Sequence, residues 1–98
     1  MTFDDLEWTD PTEGLTMPPG WEDTSLQAFA RFDNGWTVSI LGGKRMINLG
    51  SKHGPVNCIY TDGDTYECAT MKGGTIRDVT GFLTKEEVTA LLQEVEAR

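Results

Sequence analysis

The alternation of apolar and polar side chains between residues 26 and 40 constrains the fold of this chain more than any other feature. The apolar residues stand at every second position on both sides of Asp33-Asn34-Gly35, and they are Leu26, Ala28, Ala30, Phe32, Trp36, Val38 and Ile40. A period of two is typical of strands that bury one face, and Asn-Gly between two such strands indicates a hairpin.

A three-residue loop fits this hairpin better than a two-residue turn. A two-residue turn at Asn34-Gly35 would mix apolar and polar side chains on each face of the hairpin. A loop of Asp33-Asn34-Gly35 instead places Gly35 at the left-handed position that such loops require. It also gives both strands one apolar face, with the opposed pairs Phe32 and Trp36, Ala30 and Val38, and Ala28 and Ile40.

Two apolar residues of the hairpin, Phe29 and Leu41, are predicted to point to its other face. Two interpretations of this face are open. Either N-terminal residues cover it, or it is exposed as a contact patch, which leaves a homodimer open as well.

The second half of the chain predicts another hairpin and a helix. Residues 56–61 and 65–71 are expected to pair through a two-residue turn at Asp62-Gly63, with Cys58 opposite Glu67 and with free thiols. Residues 76–80 are expected to add a short strand.

Thr84 and Glu87 have the spacing of a capping box. The apolar residues that follow predict an amphipathic helix of about 14 residues, and they are Val88, Leu91, Leu92 and Val95.

Together these elements predict an α+β fold. We expect an antiparallel sheet of two hairpins, about four to five strands in all, with one C-terminal helix packed on it. Residues 1–24 are expected to form an irregular acidic arm, because Asp10-Pro11 and Met17-Pro18-Pro19-Gly20 interrupt regular structure. Residues 25–98 are then a single α+β domain.

The arm carries most of the net charge. It holds seven of the sixteen acidic residues and no Lys or Arg, so it contributes −7 to a formal net charge of −8. A strongly acidic chain is repelled by nucleic acids and by anionic membranes, so we expect neither as a direct partner. The sequence has no run of 18 apolar residues and no basic-then-apolar start, which favours a cytoplasmic location.

The arm also contains aromatic residues among its acids, a composition suited to binding a basic and partly apolar protein surface. Tryptophan is a favoured anchor of protein interfaces. The predicted partner-binding residues are Asp4, Asp5, Glu7, Trp8, Asp10, Glu13, Trp21, Glu22 and Asp23. The alternative is intramolecular: the arm wraps the sheet, and its carboxylates approach Lys44, Arg45 and Lys52. Both interpretations hold together if the aromatics face inward and the carboxylates outward.

A glycine-rich loop at residues 42–55 is the positive part of the molecule. It predicts an alternative function, the binding of a small anionic ligand such as a nucleotide, with a dimer interface as one location for the site. The predicted contacts are Lys44, Arg45, Lys52 and His53. The phosphate-loop pattern is absent from this segment, since its spacing and its Lys-Ser/Thr ending are missing.

The residue types available make catalysis the least favoured function. His53 is the single histidine, and it has no acidic residue beside it in the sequence. Two cysteines and one histidine are one ligand short of a usual zinc site. We therefore expect no enzymatic activity, no cofactor and no metal site.

Two stretches of the chain resemble small uncharacterised bacteriophage proteins. They are the hairpin sequence from Ala28 to Ile40, with its Asn34-Gly35-Trp36-Thr37-Val38-Ser39 core, and the helix start from Gly81 to Val88. The resemblance implies a phage origin and hence the host cytoplasm, and it transfers no catalytic residue. With the acidic arm, it leads us to expect an interaction protein that binds, and in one form inhibits, a basic host or defence protein.

Overall fold

The computed structural model describes residues 1–48 and 54–98. This part of the chain contains a short 3₁₀ turn, seven strands and one helix. The bounds, in chain order, are the 3₁₀ turn Phe3–Asp5, β1 Glu22–Asp23, β2 Leu26–Arg31, β3 Trp36–Gly42, β4 Arg45–Ile47, β5 Val56–Asn57, β6 Tyr66–Lys72, β7 Thr75–Leu83 and α1 Lys85–Glu96. The predicted α+β class is confirmed, but the described residues form seven strands instead of four to five.

The main sheet is antiparallel, with the strand order β2-β3-β6-β7. Its first hairpin has the predicted register, since Ala28 pairs with Ile40 and Ala30 pairs with Val38. The three-residue loop is also confirmed: the Phe32 N–H donates to the Trp36 carbonyl over 2.9 Å, and Gly35 has a φ of 87°. The apolar alternation thus fixes which side chains enter the core.

The predicted second hairpin is wrong. β6 forms its hairpin with β7, around Gly73 and Gly74, whose φ values of 61° and 78° suit a tight two-residue turn. On its other side β6 pairs with β3, and this pairing places Cys68 beside Ile40. Cys58 is consequently exposed and not opposite Glu67, and its N–H donates to the carbonyl of Arg45. Both cysteines are free thiols.

The helix α1 lies on one face of the main sheet and closes the core. The predicted capping box is confirmed: the Glu87 N–H donates to Thr84 Oγ1 over 3.2 Å, and the Thr84 N–H donates to Glu87 Oε1 over 3.1 Å. The helix has 12 residues, somewhat fewer than predicted. The buried hydrophobic core that it completes consists of Leu6, Ala28, Ala30, Val38, Ile40, Cys68, Val88, Leu92 and Val95.

A second, smaller sheet has the strand order β1-β4-β5, also antiparallel. It joins the end of the arm to the loop at residues 42–55, because Glu22 pairs with Met46 and Asp23 pairs with Arg45. The arm, predicted to be irregular, therefore contributes a strand and a 3₁₀ turn. Thr9 also forms an isolated bridge with Gln27 on the outer edge of β2.

The other face of the main sheet carries no helix. Phe29 and Leu41 point to this face, as predicted, since they alternate with the buried Ala28 and Ile40. Phe29 is 39% exposed. None of the helices in residues 1–48 and 54–98 has the length and apolar character needed to cross a membrane.

Candidate interaction surface

The start of the arm is anchored to the core. Leu6 is buried, and the half-buried rings of Phe3 and Trp8 lie 4.9 and 5.7 Å from the ring of Tyr66, between centroids. The Phe3 N–H donates to Thr89 Oγ1 of α1 over 2.9 Å. The aromatic residues at the start of the arm therefore pack against their own domain, on the helix side of the main sheet.

Trp21, the second tryptophan of the arm, is half-buried beside the smaller sheet. It lines a cleft of about 370 Å³, together with Met46 and Pro55. A second cleft of about 230 Å³ lies between Trp8 and Tyr66. Both clefts are shallow features beside the arm, and neither contains an arrangement of nucleophile and base.

The carboxylates of the arm mostly face outward. Six of them belong to exposed residues: Asp4, Asp5, Glu7, Asp10, Glu13 and Glu22. None of the six forms an ion pair with a residue in ranges 1–48 and 54–98. Phe3 and Trp8 thus face inward while most of the acids are in solvent, and the binding of these acids to a partner stays a prediction.

Two of the outward carboxylates also stabilise local turns. Asp5 accepts the Thr2 N–H over 2.8 Å, and this backbone hydrogen bond is the main reason that the pKa of Asp5 lies below its usual value. Asp10 accepts both the N–H and the hydroxyl of Thr12, over 2.8 and 2.7 Å. These bonds hold the backbone of the acidic segment in a defined path.

Asp23 differs from the other acids because its own chain surrounds it. Its side chain is only 2% exposed, and Arg45 Nε donates to it over 2.9 Å. The Ser25 N–H donates over 2.8 Å, and the Ser25 hydroxyl donates as well. Burial by itself raises the pKa of Asp23, but the bonds from Ser25 and Arg45 outweigh it and hold this pKa below its usual value.

Of the four basic residues predicted as an anion site, the structure describes Lys44 and Arg45. The guanidinium of Arg45 is occupied by Asp23 and by the hydroxyl of Ser25, over 2.9 and 3.3 Å. The side chain of Lys44 is exposed. Lys52 and His53 lie outside the described residues, so their place in such a site stays a prediction.

The thiol of Cys68 is unsuited to nucleophilic chemistry. It is buried in the core, and this burial raises its pKa to about 12, with a smaller effect from the charge of Glu67. Within the described ranges, no three His, Cys, Asp or Glu side chains lie close enough together to hold a metal ion.

An exposed aromatic pair was not predicted from the sequence. Tyr60 and Phe82 are 60% and 57% exposed, with ring centroids 6.4 Å apart. Phe82 has a φ of 58°, which is unusual for a bulky residue. A Cβ at Gly81 would lie 2.3 Å from the Cβ of Tyr60, so glycine is required there. A glycine within a strand is typical of such a close approach. Gly81 is therefore the sequence feature that could have indicated this contact with Tyr60.

Comparison of the chain with models of protein families, with curated proteins and with solved structures found no match.

Proposed function

We propose that this protein is a small acidic interaction protein that binds a basic surface on another protein. The observation that carries the proposal is the anchored arm, which presents six exposed carboxylates without a counter-ion in the described part of the chain. In its narrower form, a bacteriophage encodes the protein, and its target is a basic host or defence protein in the host cytoplasm. The proposed role includes no catalytic step.

The anchoring of the arm supports binding in two ways. A segment that is already ordered loses less conformational entropy on association than a disordered one. The contacts of Phe3 and Trp8 with Tyr66 provide this order before any partner arrives. Exposed carboxylates on an ordered backbone also accelerate encounter with a basic surface and favour one orientation of it.

A nucleic-acid-binding protein is the kind of partner that suits this surface. Such proteins present Arg and Lys side chains that are placed to contact phosphates, and carboxylates accept the same charge-assisted hydrogen bonds. A surface of carboxylates can therefore occupy a site that is shaped for a phosphate backbone. This chemistry supports inhibition as the proposed consequence of binding.

A matched pair of charge variants tests the proposal. The arm variant carries Asp4→Asn, Glu7→Gln and Glu13→Gln, and the control variant carries Asp33→Asn, Asp62→Asn and Asp64→Asn. All six residues are exposed, and each variant reduces the formal net charge from −8 to −5. The variants and the original protein are immobilised, and proteins captured from a bacterial lysate at low salt are quantified by mass spectrometry.

We expect the original protein and the control to capture the same basic protein, and the arm variant to capture at least tenfold less of it. The captured protein is then purified, and its dissociation constant is measured between about 0.05 and 0.3 M NaCl, where screening should weaken binding. Equal capture by all three proteins, or a salt-independent dissociation constant, would contradict the proposal.

The alternative function, binding of a small anion, has weaker support. It requires Arg45 to exchange its contacts with Asp23 and Ser25 for contacts with the ligand. Breaking this pair leaves the nearly buried carboxylate of Asp23 without its arginine, and this opposes ligand binding.

A further inference from the structure

The face of the main sheet opposite α1 carries apolar side chains, and part of it is exposed. The strand register assigns six apolar side chains to it, and we call them the open face: Phe29, Leu41, Ala69, Met71, Ile76 and Val79. Phe29, Val79 and Ile76 are 39%, 42% and 58% exposed.

The members of the open face are neighbours across the strands and not scattered. One row runs across all four strands, because Phe29 pairs with Ser39, Ser39 with Ala69, and Ala69 with Val79. In the next row Met71 pairs with Ile76. Contiguous apolar surface of this kind marks an interaction site more often than single exposed residues do.

The open face differs in charge from the rest of the molecule. Two charged side chains of β2, β3 and β6 point to it, Arg31 and Glu67. The guanidinium of Arg31 lies 4.8 Å from the ring centre of Phe29, and the carboxylate of Glu67 accepts the Tyr60 N–H over 2.8 Å. The acids at the start of the arm belong to the segment that packs on the helix side of the main sheet. The one positive and one negative charge on this part of the face balance, so two copies of a −8 chain meet less electrostatic repulsion here than through their acidic arms.

The edges of the main sheet are less suitable for pairing with another chain. The outer edge of β2 is partly occupied by the bridge between Thr9 and Gln27. The edge strand β7 has two irregularities in its register with β6 and carries Arg77 and Asp78. Bulges and charged residues on an edge discourage strand addition, so association through the open face is favoured over pairing at these edges.

We propose that the open face binds the open face of a second copy, so that two main sheets pack face to face about a twofold axis. Four strands of about six residues cover about 19 by 20 Å. This footprint, about 380 Å² per copy, is about half of what each partner buries in a standard interface, so the dimer is weak, with a dissociation constant on the order of 10–100 μM. The dimer leaves the acidic helix side of both copies free.

Sedimentation of the intact protein between about 5 and 500 μM tests the dimer. The mass should rise from 10.9 kDa toward twice that value. Phe29→Glu and Val79→Glu each place an acid in the interface of both copies, and should keep the protein monomeric at 500 μM. Leu15→Glu is the matched control, because Leu15 is 66% exposed in the arm and its substitution changes the net charge equally.

The control should dimerise like the original protein, and circular dichroism with thermal melting checks that the two interface variants remain folded. Raising NaCl to 0.3 M should leave the dimer intact or strengthen it, opposite to the effect expected for the complex with a basic partner. The proposal would be overturned if the original protein stays monomeric at 500 μM. It would also be overturned if the Phe29→Glu and Val79→Glu variants are folded and still dimerise. Neither result alters the capture experiment on the arm.

Discussion

Asp23 connects the end of the arm to a strand that lies 22 residues further along the chain. Its carboxylate accepts hydrogen bonds from Ser25, the residue before β2, and from Arg45 of β4. Of the seven arm carboxylates, all within the described ranges, it is the one with an arginine partner. The intramolecular interpretation of the arm predicted a carboxylate beside Arg45, but it could not select Asp23, because the choice depends on the pairing of β1 with β4.

The stability of the protein should depend on the charge of Asp23. Replacement by Asn keeps the shape of the side chain but removes the charge, so Asp23→Asn should lower the free energy of unfolding by about 1–3 kcal/mol at pH 7. The pKa of Asp23 is lowered in the folded state, so below about pH 4 the unfolded chain binds more protons at this residue. The contribution is therefore present above pH 4 and is lost as the pH falls through the folded-state pKa.

Urea unfolding of both proteins at pH 7, 5 and 3 measures this dependence. The difference in unfolding free energy should be similar at pH 7 and 5 and smaller at pH 3. Glu22→Gln is the control, because Glu22 is the exposed neighbour of Asp23 in the same strand, and it should change the free energy by less than about 0.5 kcal/mol. A difference that is equal at all three pH values would show that the charge of Asp23 does not stabilise the fold.

At the scale of elements, the loop of the first hairpin also caps the C-terminal end of α1. Asn34 Nδ2 donates to the carbonyl of Val95 over 2.9 Å, and Asn34 Oδ1 accepts the Trp36 N–H over 3.0 Å. The last carbonyls of a helix accept no hydrogen bond from within the helix. Asn34 in the hairpin loop therefore supplies a donor for one of them. The sequence predicted Asn34 as a turn residue, but its contact with a helix 61 residues away needed the assembled fold.

Two substitutions of Asn34 separate its two hydrogen-bonding roles. Asn34→Asp keeps the acceptor for Trp36 but removes the donor, whereas Asn34→Ala removes both. We expect losses of about 2 kcal/mol for each, because Ala removes both bonds, whereas Asp keeps the acceptor but places a carboxylate oxygen against the carbonyls at the negative end of α1. Hydrogen exchange should become faster at the last turn of α1 in both variants. Asp33→Ala, in the exposed part of the same loop, should leave exchange in α1 unchanged, and faster exchange in that control would argue against the assigned role of Asn34.

The elements that were predictable from the sequence are those that depend on local pattern. The first hairpin and the capping box each lie within about 15 consecutive residues, and both were correct. The second hairpin failed because β6 pairs with β3, about 30 residues earlier, and this pairing depends on the match of Cys68 and Thr70 to the apolar row of β3. Strands β1 and β5 have two residues each, too few to show any alternation.

At the scale of the whole molecule, the sequence predicted the uneven distribution of charge, because seven acids in the first 24 residues are visible without a structure. It left open whether the aromatics of the arm face inward. Trp8 and Phe3 face inward because they pack against the ring of Tyr66 of β6, beside the core. The contiguity of the open face was equally hidden, since Phe29 and Val79 are 50 residues apart and meet only through β3 and β6.

The excess of exposed acids should make the folded state more stable in salt. In the compact state the unpaired carboxylates repel one another, and the expanded unfolded chain relieves this repulsion. The screening length falls from about 30 Å at 0.01 M salt to below about 10 Å at 0.3 M. We therefore expect the melting temperature to rise by about 3–6 °C over this range, somewhat under 1 kcal/mol for a chain of this size. Calorimetry in NaCl measures the rise, and the variant Asp4→Asn/Glu7→Gln/Glu13→Gln should start from a higher melting temperature and gain less. A fall in melting temperature with salt would instead mean that attractive pairs such as Asp23–Arg45 dominate the electrostatic free energy of the fold.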